Sequence, residues 1–272
     1  MYQERSLVFD GIVPNKIQPL TLTTITSILL LEGDAEHRLL VDAEVAIQSV
    51  FADREVQLVR QWTTRPDWLD PAASARADFP LRSAVLPGPD VRELLEQPHR
   101  LVIFALLPAV TRPALRHRSG AVFLAHQGLR ANWSPEMAAA MAAECSEESP
   151  LSAAEAAMAL EPVIERLQAR GSAVAVCTAF RRVKEPLEHR GREGTPALRE
   201  LVRRINREVV HLSRRTGCFV LDLDRPLAQE GGASLGADCF GGDGRAAEIA
   251  LDEFAALLLD AMPDDFMPLE AP

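Results

Sequence analysis

Two kinds of hydrophobic spacing alternate along this chain of 272 residues. Short apolar runs, of a length that suits buried strands, are separated by segments in which apolar residues recur every three or four positions, as on one face of a helix. The first such pair is the run Ile28 to Leu31, followed by a polar turn and by Leu39, Leu40, Ala43, Ile47 and Val50. The later strand-like runs are Glu55 to Trp62, Leu101 to Leu106, Ala173 to Phe180 and Phe219 to Leu223.

Helical segments follow most of these strand-like runs. Ser152 and Glu155 have the spacing of a capping box, which predicts a helix from Ser152 that Gly171 ends. Strands that alternate with helices favour parallel pairing, with right-handed crossovers that cover both faces of the sheet. We therefore predict one α/β domain over residues 1–272, a three-layer α/β/α sandwich with a mostly parallel central sheet. The other predicted helices are Asp90 to Gln97, Thr195 to Gly217 and Gly244 to Met262.

Two segments do not fit the alternation of strands and helices. We predict an N-terminal arm over residues 1–25. We also predict a long irregular insertion over residues 109–150, of the kind that often forms a lid or binding loop. We expect the insertion to pack over the strand ends that carry Asp34 and Asp238, with Trp133 partly buried against them. Trp133 is also the candidate ligand contact, because an indole combines a large apolar face with one hydrogen-bond donor. His117 and His126 are also in the insertion, where we expect solvated loop positions. A further surface excursion is expected over residues 63–89.

Composition excludes several classes of function. The net charge of −10 and the aromatic content of 5% argue against a nucleic-acid surface, which needs a basic face and stacking rings. The uncharged run Ile17 to Leu31 is too short and contains too many polar residues to span a membrane. No signal peptide is evident. The four cysteines are far apart, and Cys177 and Cys218 are in apolar runs where a free thiol acts as a core residue. These features favour a cytoplasmic protein without a membrane span.

The polar turn 32–37 (EGDAEH) carries the first chemical signal. The apolar strand running into Gly33-Asp34-Ala35 resembles the first block of the SGNH/GDSL hydrolases, in which Gly-Asp-Ser supplies the nucleophilic serine. Gly33 and Asp34 match this block, but Ala35 occupies the position of the serine, and a methyl group cannot attack a carbonyl carbon. An ordinary turn between a strand and a helix remains the alternative, since glycine and aspartate are common in such turns.

The second half of the chain extends the resemblance. The helix and strand that end in Asp222-Leu223-Asp224 are similar to the family segment that precedes its Asp-x-x-His block. In this chain Asp238 matches the aspartate of that block, whereas Gly241 occupies the position of the histidine. The family also has an oxyanion-hole glycine after the second strand and an asparagine after the third, but this chain has Gln61-Trp62-Thr63 and Leu106-Leu107-Pro108. The resemblance therefore implies an esterase-type fold whose catalytic residues have been replaced.

A substituted site is the second possibility. If the fold is correct, the loop after the first strand and the loop before the last helix meet, which brings Asp34 and His37 near Asp238 and Cys239. These residues would allow a Cys–His pair or a metal site. Solvated or capping positions without a chemical role are the favoured alternative, since nothing in the spacing is diagnostic, and no metal is predicted. Arg181, Arg182 and Lys184 follow the fourth strand and are candidates for holding an anionic group. A solvated charge run is the alternative.

Three functions are compatible with the sequence. The first is a degenerate SGNH-type protein without ester-hydrolase activity, which binds a small ester, a carbohydrate or a protein partner as an accessory to acyl or carbohydrate modification. The second is an active esterase or deacetylase with substituted catalytic residues. The third is an unrelated nucleotide-binding protein, which is disfavoured because the turn 32–37 lacks a glycine-rich phosphate fingerprint. No cofactor is predicted for the first two.

Overall fold

A five-stranded parallel sheet forms the centre of the protein. The computed structural model describes residues 26–32, 40, 42–51, 55–69, 90–124, 133–179, 198–229 and 245–262. The strand order is β2-β1-β3-β7-β8, and each neighbouring pair is parallel. The mostly parallel sheet predicted from the apolar runs is therefore confirmed. Its strands are β1 (Thr26–Glu32), β2 (Val56–Trp62), β3 (Leu101–Ala105), β7 (Ala173–Cys177) and β8 (Phe219–Leu221).

Strand β1 is flanked on both sides, by β2 and by β3. In this register Ile28 is level with Leu58 and Leu101, and Leu31 is level with Gln61 and Phe104. All four residues from Ile28 to Leu31 are fully buried. The continuous apolar run has this pattern because a strand with helices on both faces has no face that contacts water.

Helices cover both faces of the sheet. Alternate strand residues point to opposite faces, so Ile28 and Leu30 belong to one core whereas Leu29 and Leu31 belong to the other. The first core is closed by α1 (Ala43–Val50), α7 (Asp224–Gln229) and α8 (Arg245–Ala261). The second core is closed by α2 (Val91–Glu96), α5 (Ala153–Ala169) and α6 (Leu198–Thr216).

The predicted ends of the helices are largely confirmed. The Ser152 hydroxyl accepts a hydrogen bond from the Glu155 amide at 3.2 Å, and the Glu155 carboxylate accepts one from the Ser152 amide at 2.7 Å, which is a complete capping box. Helix α6 ends at Thr216 because Gly217 adopts a φ of 71°, which is available to glycine at little cost. The start predicted at Thr195 is outside the described residues. No helix of the described part of the chain has the length and apolar character needed to cross a membrane.

The described part of residues 109–150 contains more regular structure than the long irregular insertion expected from the sequence. Helix α3 (Leu107–Thr111) contains Pro108, which is therefore in a first helical turn rather than at the end of a strand. A second sheet follows, with the antiparallel order β5-β4-β6. We call this sheet, with the helix before its last strand, the small sheet unit: β4 (Ala114–His117), β5 (Val122–Leu124), α4 (Pro135–Glu144) and β6 (Cys145–Glu148).

Smaller differences concern the ends of strands and one surface segment. Strands β3, β7 and β8 end one to three residues earlier than the apolar runs predict, because Leu106, Thr178 and Asp222 begin the turns that follow. Pro66–Leu69 forms a short 3-10 helix in which Trp68 and Leu69 are buried, so this part of the expected surface excursion belongs to the core. The arm at residues 1–25 is outside the described residues.

Candidate functional site at the carboxyl edge of the sheet

The carboxyl ends of the five parallel strands meet at one edge, where α/β proteins place their binding sites. Strand β1 ends at Glu32, so Gly33-Asp34-Ala35 continues directly from a strand in the middle of this edge. The side chains named from sequence for this site, however, are outside the described residues: Asp34, Ala35, His37, Arg181, Arg182, Asp238, Cys239 and Gly241.

The structure identifies the residues that follow β2 and β3. The Thr63 hydroxyl follows β2 and donates a hydrogen bond of 3.2 Å to the carbonyl oxygen of Ala105, the last residue of β3. Leu106 comes next, and it is buried in the core with 3% of its surface exposed. At this position the SGNH/GDSL hydrolases are expected to have an asparagine amide. A leucine side chain has no hydrogen-bond donor, so it cannot stabilise an oxyanion.

A polar network closes the carboxyl ends of β7 and β8. The Thr178 hydroxyl donates to Asp222 Oδ1 at 2.8 Å and accepts a hydrogen bond from the Asp224 amide at 3.1 Å. Asp222 Oδ1 also accepts from the amides of Asp224 and Arg225, both at 3.2 Å, as expected for a carboxylate at the start of α7. This network explains the Asp222-Leu223-Asp224 segment through local structure and gives Asp222 no free reactive role.

One carboxylate beside this network is unusual. Burial raises the pKa of Glu253, on α8, and the negative charge of Asp222 raises it further. Asp252 acts in the same direction, and Arg225 acts in the opposite one. The network therefore adds negative potential to this end of the sheet, and this disfavours anion binding close to Glu253.

The small sheet unit is attached to this same edge. Arg65, three residues after β2, forms ion pairs with Asp67 at 2.5 Å and with Glu148 of β6 at 2.7 Å. Only 7% of the Arg65 side chain is exposed, and Glu148 also pairs with Arg116 of β4. The hydrogen bonds from Arg116 hold the pKa of the Glu148 carboxyl below its usual value. The unit is thus linked to the carboxyl side of the central sheet, the side on which a lid was predicted.

Trp133 packs inside the small sheet unit. Its ring is half-buried against a cluster that contains Trp68, Phe123 and Met141. The guanidinium of Arg92 lies 4.3 Å from the centre of the Trp68 ring, so a cation–π contact joins this cluster to α2. The sequence predicted contacts between Trp133 and the strand ends that carry Asp34 and Asp238, and those two residues are outside the described part. What the structure records for Trp133 is a packing role within the unit.

The structure brings together three side chains that sequence reasoning missed. His117, expected to be solvated, has only 3% of its surface exposed. Its Nδ1 atom lies 2.8 Å from the Ser119 hydroxyl, and its Nε2 atom lies 2.8 Å from Glu144 Oε2. The hydrogen bond from His117 holds the pKa of the Glu144 carboxyl below its usual value, and the charge of Arg118 acts in the same direction.

The remaining candidates from the sequence have structural positions. Cys177 and Cys218 are buried core thiols, as predicted, and burial raises the pKa of Cys218. His99 is buried, and its Nε2 atom donates to the Leu94 carbonyl at 2.8 Å. Within the part of the chain that the structure describes, no three histidine, cysteine or carboxylate side chains are close enough to hold a metal ion.

Comparison with known proteins places the fold. An acetylxylan esterase from Geobacillus stearothermophilus superimposes with a TM-score of 0.50 over 89% of this chain and 96% of the esterase, at 10% identity. The chain has the fold of this esterase. A Slackia heliotrinireducens protein described as an SGNH hydrolase also matches, with a TM-score of 0.44 over 85% of this chain and 98% of that protein, at 11% identity.

Comparisons of sequence give no match. No protein-family model and no curated protein matches this chain. At 10% identity the likeness to the esterase is one of fold alone. Function has to be inferred from the residues at the carboxyl edge.

Proposed function

We propose that this protein binds an acylated carbohydrate or a similar small ester at the carboxyl edge of its central sheet, and that it does not hydrolyse this ligand by the serine–histidine mechanism. The observation that carries the proposal is the position of Ala35, three residues beyond the end of β1, the strand between β2 and β3. A serine there would be the nucleophile of an SGNH-type esterase. Alanine has no atom that can form an acyl-enzyme bond.

Two further positions support the absence of this mechanism. Gly241 replaces the histidine that would accept the serine proton, and Leu106 replaces the side-chain amide that would stabilise the oxyanion. Losing the nucleophile or the base alone costs a serine hydrolase several orders of magnitude in kcat. The cleft of such a protein can still recognise a ligand, because binding groups and reacting groups are different atoms.

The ligand class is inferred from the fold and from two arginines that follow β7 in the chain. The superimposed Geobacillus stearothermophilus protein is an acetylxylan esterase, so an acetylated sugar is the first ligand to test. Arg181 and Arg182 follow β7 in the chain and are the candidates for contacting polar groups of such a ligand. A protein partner of acyl- or carbohydrate-modifying enzymes is the second class of ligand for the same edge.

The test is a calorimetric titration with acetylated xylo-oligosaccharides, followed by measurement of released acetate. We expect saturable binding, weaker binding of the deacetylated sugar, and no acetate release above the uncatalysed rate. Replacing Arg181 by alanine should weaken binding, whereas replacing Arg203, an exposed arginine on α6, should not. Acetate release that disappears when Asp34 or Asp238 is replaced would show an esterase with substituted residues. Absence of binding would overturn the proposed ligand class.

A further inference from the structure

Ser119, His117 and Glu144 form a continuous hydrogen-bonded relay in the small sheet unit. The Ser119 hydroxyl is 2.8 Å from His117 Nδ1, and Glu144 Oε2 is 2.8 Å from His117 Nε2. A hydroxyl, an imidazole and a carboxylate in this order are the components that activate a serine nucleophile. His117 ends β4, Ser119 lies in the turn between β4 and β5, and Glu144 ends α4, so none of the three belongs to the turn 32–37 or to the loop that contains Gly241.

The backbone determines which nitrogen of His117 carries the proton. The Ser119 amide donates a hydrogen bond of 3.1 Å to His117 Nδ1, and an amide N–H can only donate. Nδ1 is therefore an acceptor, and the proton of the neutral imidazole resides on Nε2, where it is donated to Glu144. The single lone pair of Nδ1 is shared between the Ser119 amide and the Ser119 hydroxyl, 2.8 Å away, and it receives the hydroxyl proton when the longer bond from the amide opens. The tautomer required of a general base is built into the turn.

Pairing between the strands holds the three groups in place. His117 is paired with Cys145 in the β4–β6 register, which puts Glu144, the last residue of α4, beside it. The Arg118 amide donates to the Glu144 carbonyl at 2.9 Å, and the Arg118 guanidinium binds the Glu144 carboxylate at 3.0 Å. His117 is buried, whereas Ser119 is half-exposed and can be approached from solvent. A buried base behind an accessible hydroxyl is the arrangement that nucleophilic catalysis needs.

We propose that Ser119 is an activated serine that reacts with acyl donors, with His117 as its general base and Glu144 as the positioning residue. In the step, the Ser119 oxygen forms a bond to the carbonyl carbon of an ester, and its proton passes to His117 Nδ1. The ester bond to the leaving alcohol breaks, and the leaving oxygen takes that proton. The products are an acyl-serine and an alcohol, with the histidine neutral again.

The backbone of this turn restricts the acyl donors that can react with Ser119 to activated esters. The backbone amides of Ser119 and Gly120 already have hydrogen-bond acceptors. The Ser119 amide donates to His117 Nδ1, and the Gly120 amide donates to the His117 carbonyl oxygen. Neither is free to serve as an oxyanion donor, and a missing donor costs roughly a hundredfold or more in rate. We therefore expect one-time acylation by good leaving groups rather than rapid turnover. This inference goes beyond the proposed function and does not depend on ligand binding at the carboxyl edge.

The probes are an alkyl fluorophosphonate and p-nitrophenyl acetate, with the adduct located by peptide mass spectrometry. We expect about one equivalent of adduct on Ser119, from full-length protein whose thermal unfolding is unchanged by the substitutions. Ser119→Ala should abolish the adduct, and Glu144→Gln should slow its formation about 100-fold, because the relay loses the negative charge that stabilises the imidazolium. Ser146→Ala is the matched control, since Ser146 is an exposed serine on β6 of the same sheet.

Two results would overturn the inference. One is labelling of Ser119 that is no faster than that of Ser146, and the other is labelling of Ser119 that Glu144→Gln leaves unchanged. Failure of this proposal can be told apart from failure of the proposed function, because Ser119→Ala protein should bind acetylated xylo-oligosaccharide as the unmodified protein does. Loss of binding in that variant would place Ser119 in the ligand site. It would contradict the proposal that the ligand site and the activated serine are two separate sites.

Discussion

The hydroxyl of Thr63 donates a hydrogen bond of 3.2 Å to the carbonyl oxygen of Ala105. These residues follow β2 and end β3, the two strands that flank β1, so the bond joins the chains on either side of the strand that leads to Ala35. In an SGNH-type esterase both places supply oxyanion donors. In this protein the donor after β2 is directed to a carbonyl group, and Leu106 after β3 is buried. The Thr63 hydroxyl and the Leu106 side chain thus both take part in holding the fold together at this edge.

Thr63 gives the first prediction. Thr63→Val removes the hydroxyl and leaves the Ala105 carbonyl without this partner, so we expect the free energy of unfolding to fall by about 1 kcal/mol. Thr63→Ser keeps the hydroxyl and serves as the control, with a smaller loss. Urea unfolding followed by circular dichroism measures both. Equal stability of the valine variant and the unmodified protein would show that the bond contributes nothing.

Glu148 provides a prediction about the link between the two sheets. Glu148→Gln removes the charge that pairs with the buried Arg65, and we expect a loss of about 1–3 kcal/mol in the free energy of unfolding. Exchange of backbone amides in β6 should accelerate more than in β7, because the substitution acts on the small sheet unit. Glu147→Gln, at an exposed neighbouring position, is the control and should change neither measurement. Identical exchange in β6 and β7 would contradict the linking role.

The same ion pair sets a pH dependence. The folded pKa of Glu148 is below the unfolded value of about 4.3, so between the two values the unfolded chain binds more protons. Its contribution to stability is therefore present above that unfolded value and is lost as the pH falls through the lowered folded pKa. The difference in unfolding free energy between the unmodified protein and Glu148→Gln should shrink as the pH falls through this acid range. A difference that stays constant down to the end of that range would contradict the pairing.

His99 gives a prediction at milder pH. Burial lowers the pKa of His99, whose Nδ1 atom lies 2.9 Å from the Ser27 hydroxyl. The unfolded chain binds a proton near pH 6.5 whereas the folded protein does so only at lower pH, so stability from this group is complete above about pH 6.5 and falls below it. We expect the unfolding free energy of the unmodified protein to fall more steeply between about pH 7.5 and 5.5 than that of the His99→Gln variant. This range extends about one unit to each side of the unfolded pKa. Parallel curves would show that His99 is not held neutral.

Much of the fold could be predicted because the central strands are uninterrupted apolar runs. Ile28 to Leu31 and Val174 to Cys177 are buried on both faces, so their sequence alone distinguishes them from surface strands. The small sheet unit gave no such signal, since β5 is three residues long and β6 is polar. Short strands of this kind are determined by their partners rather than by their own periodicity.

The relay could not be predicted for the same reason. Glu144 is 27 residues from His117, and only the β4–β6 pairing brings them together. The one local signal was Ser119-Gly120 between two apolar alternations, which is typical of a hairpin turn and would have placed His117 at the end of a strand. At the carboxyl edge, by contrast, the apolar run Ile28 to Leu31 predicted the strand, and β1 confirms it.

The proposed loss of SGNH-type catalysis also predicts what is needed to restore ester hydrolysis. Ala35→Ser alone should add little, because a serine without a base is a weak nucleophile, and Gly241→His alone has no hydroxyl to activate. The double variant should recover a trace of ester hydrolysis, limited by the missing oxyanion donors. Activity of either single variant equal to that of the double variant would contradict the assignment of these two positions.

The most direct test is steady-state hydrolysis of p-nitrophenyl acetate by the Ser119→Ala protein, in which the proposed hairpin nucleophile is absent. We predict a rate equal to that of an inactive control such as heat-denatured protein, and no change on replacing Asp34, His37, Asp238 or Cys239. Turnover well above this background, lost on replacing one of those four residues, would show that the carboxyl edge is an active esterase site and would contradict the account.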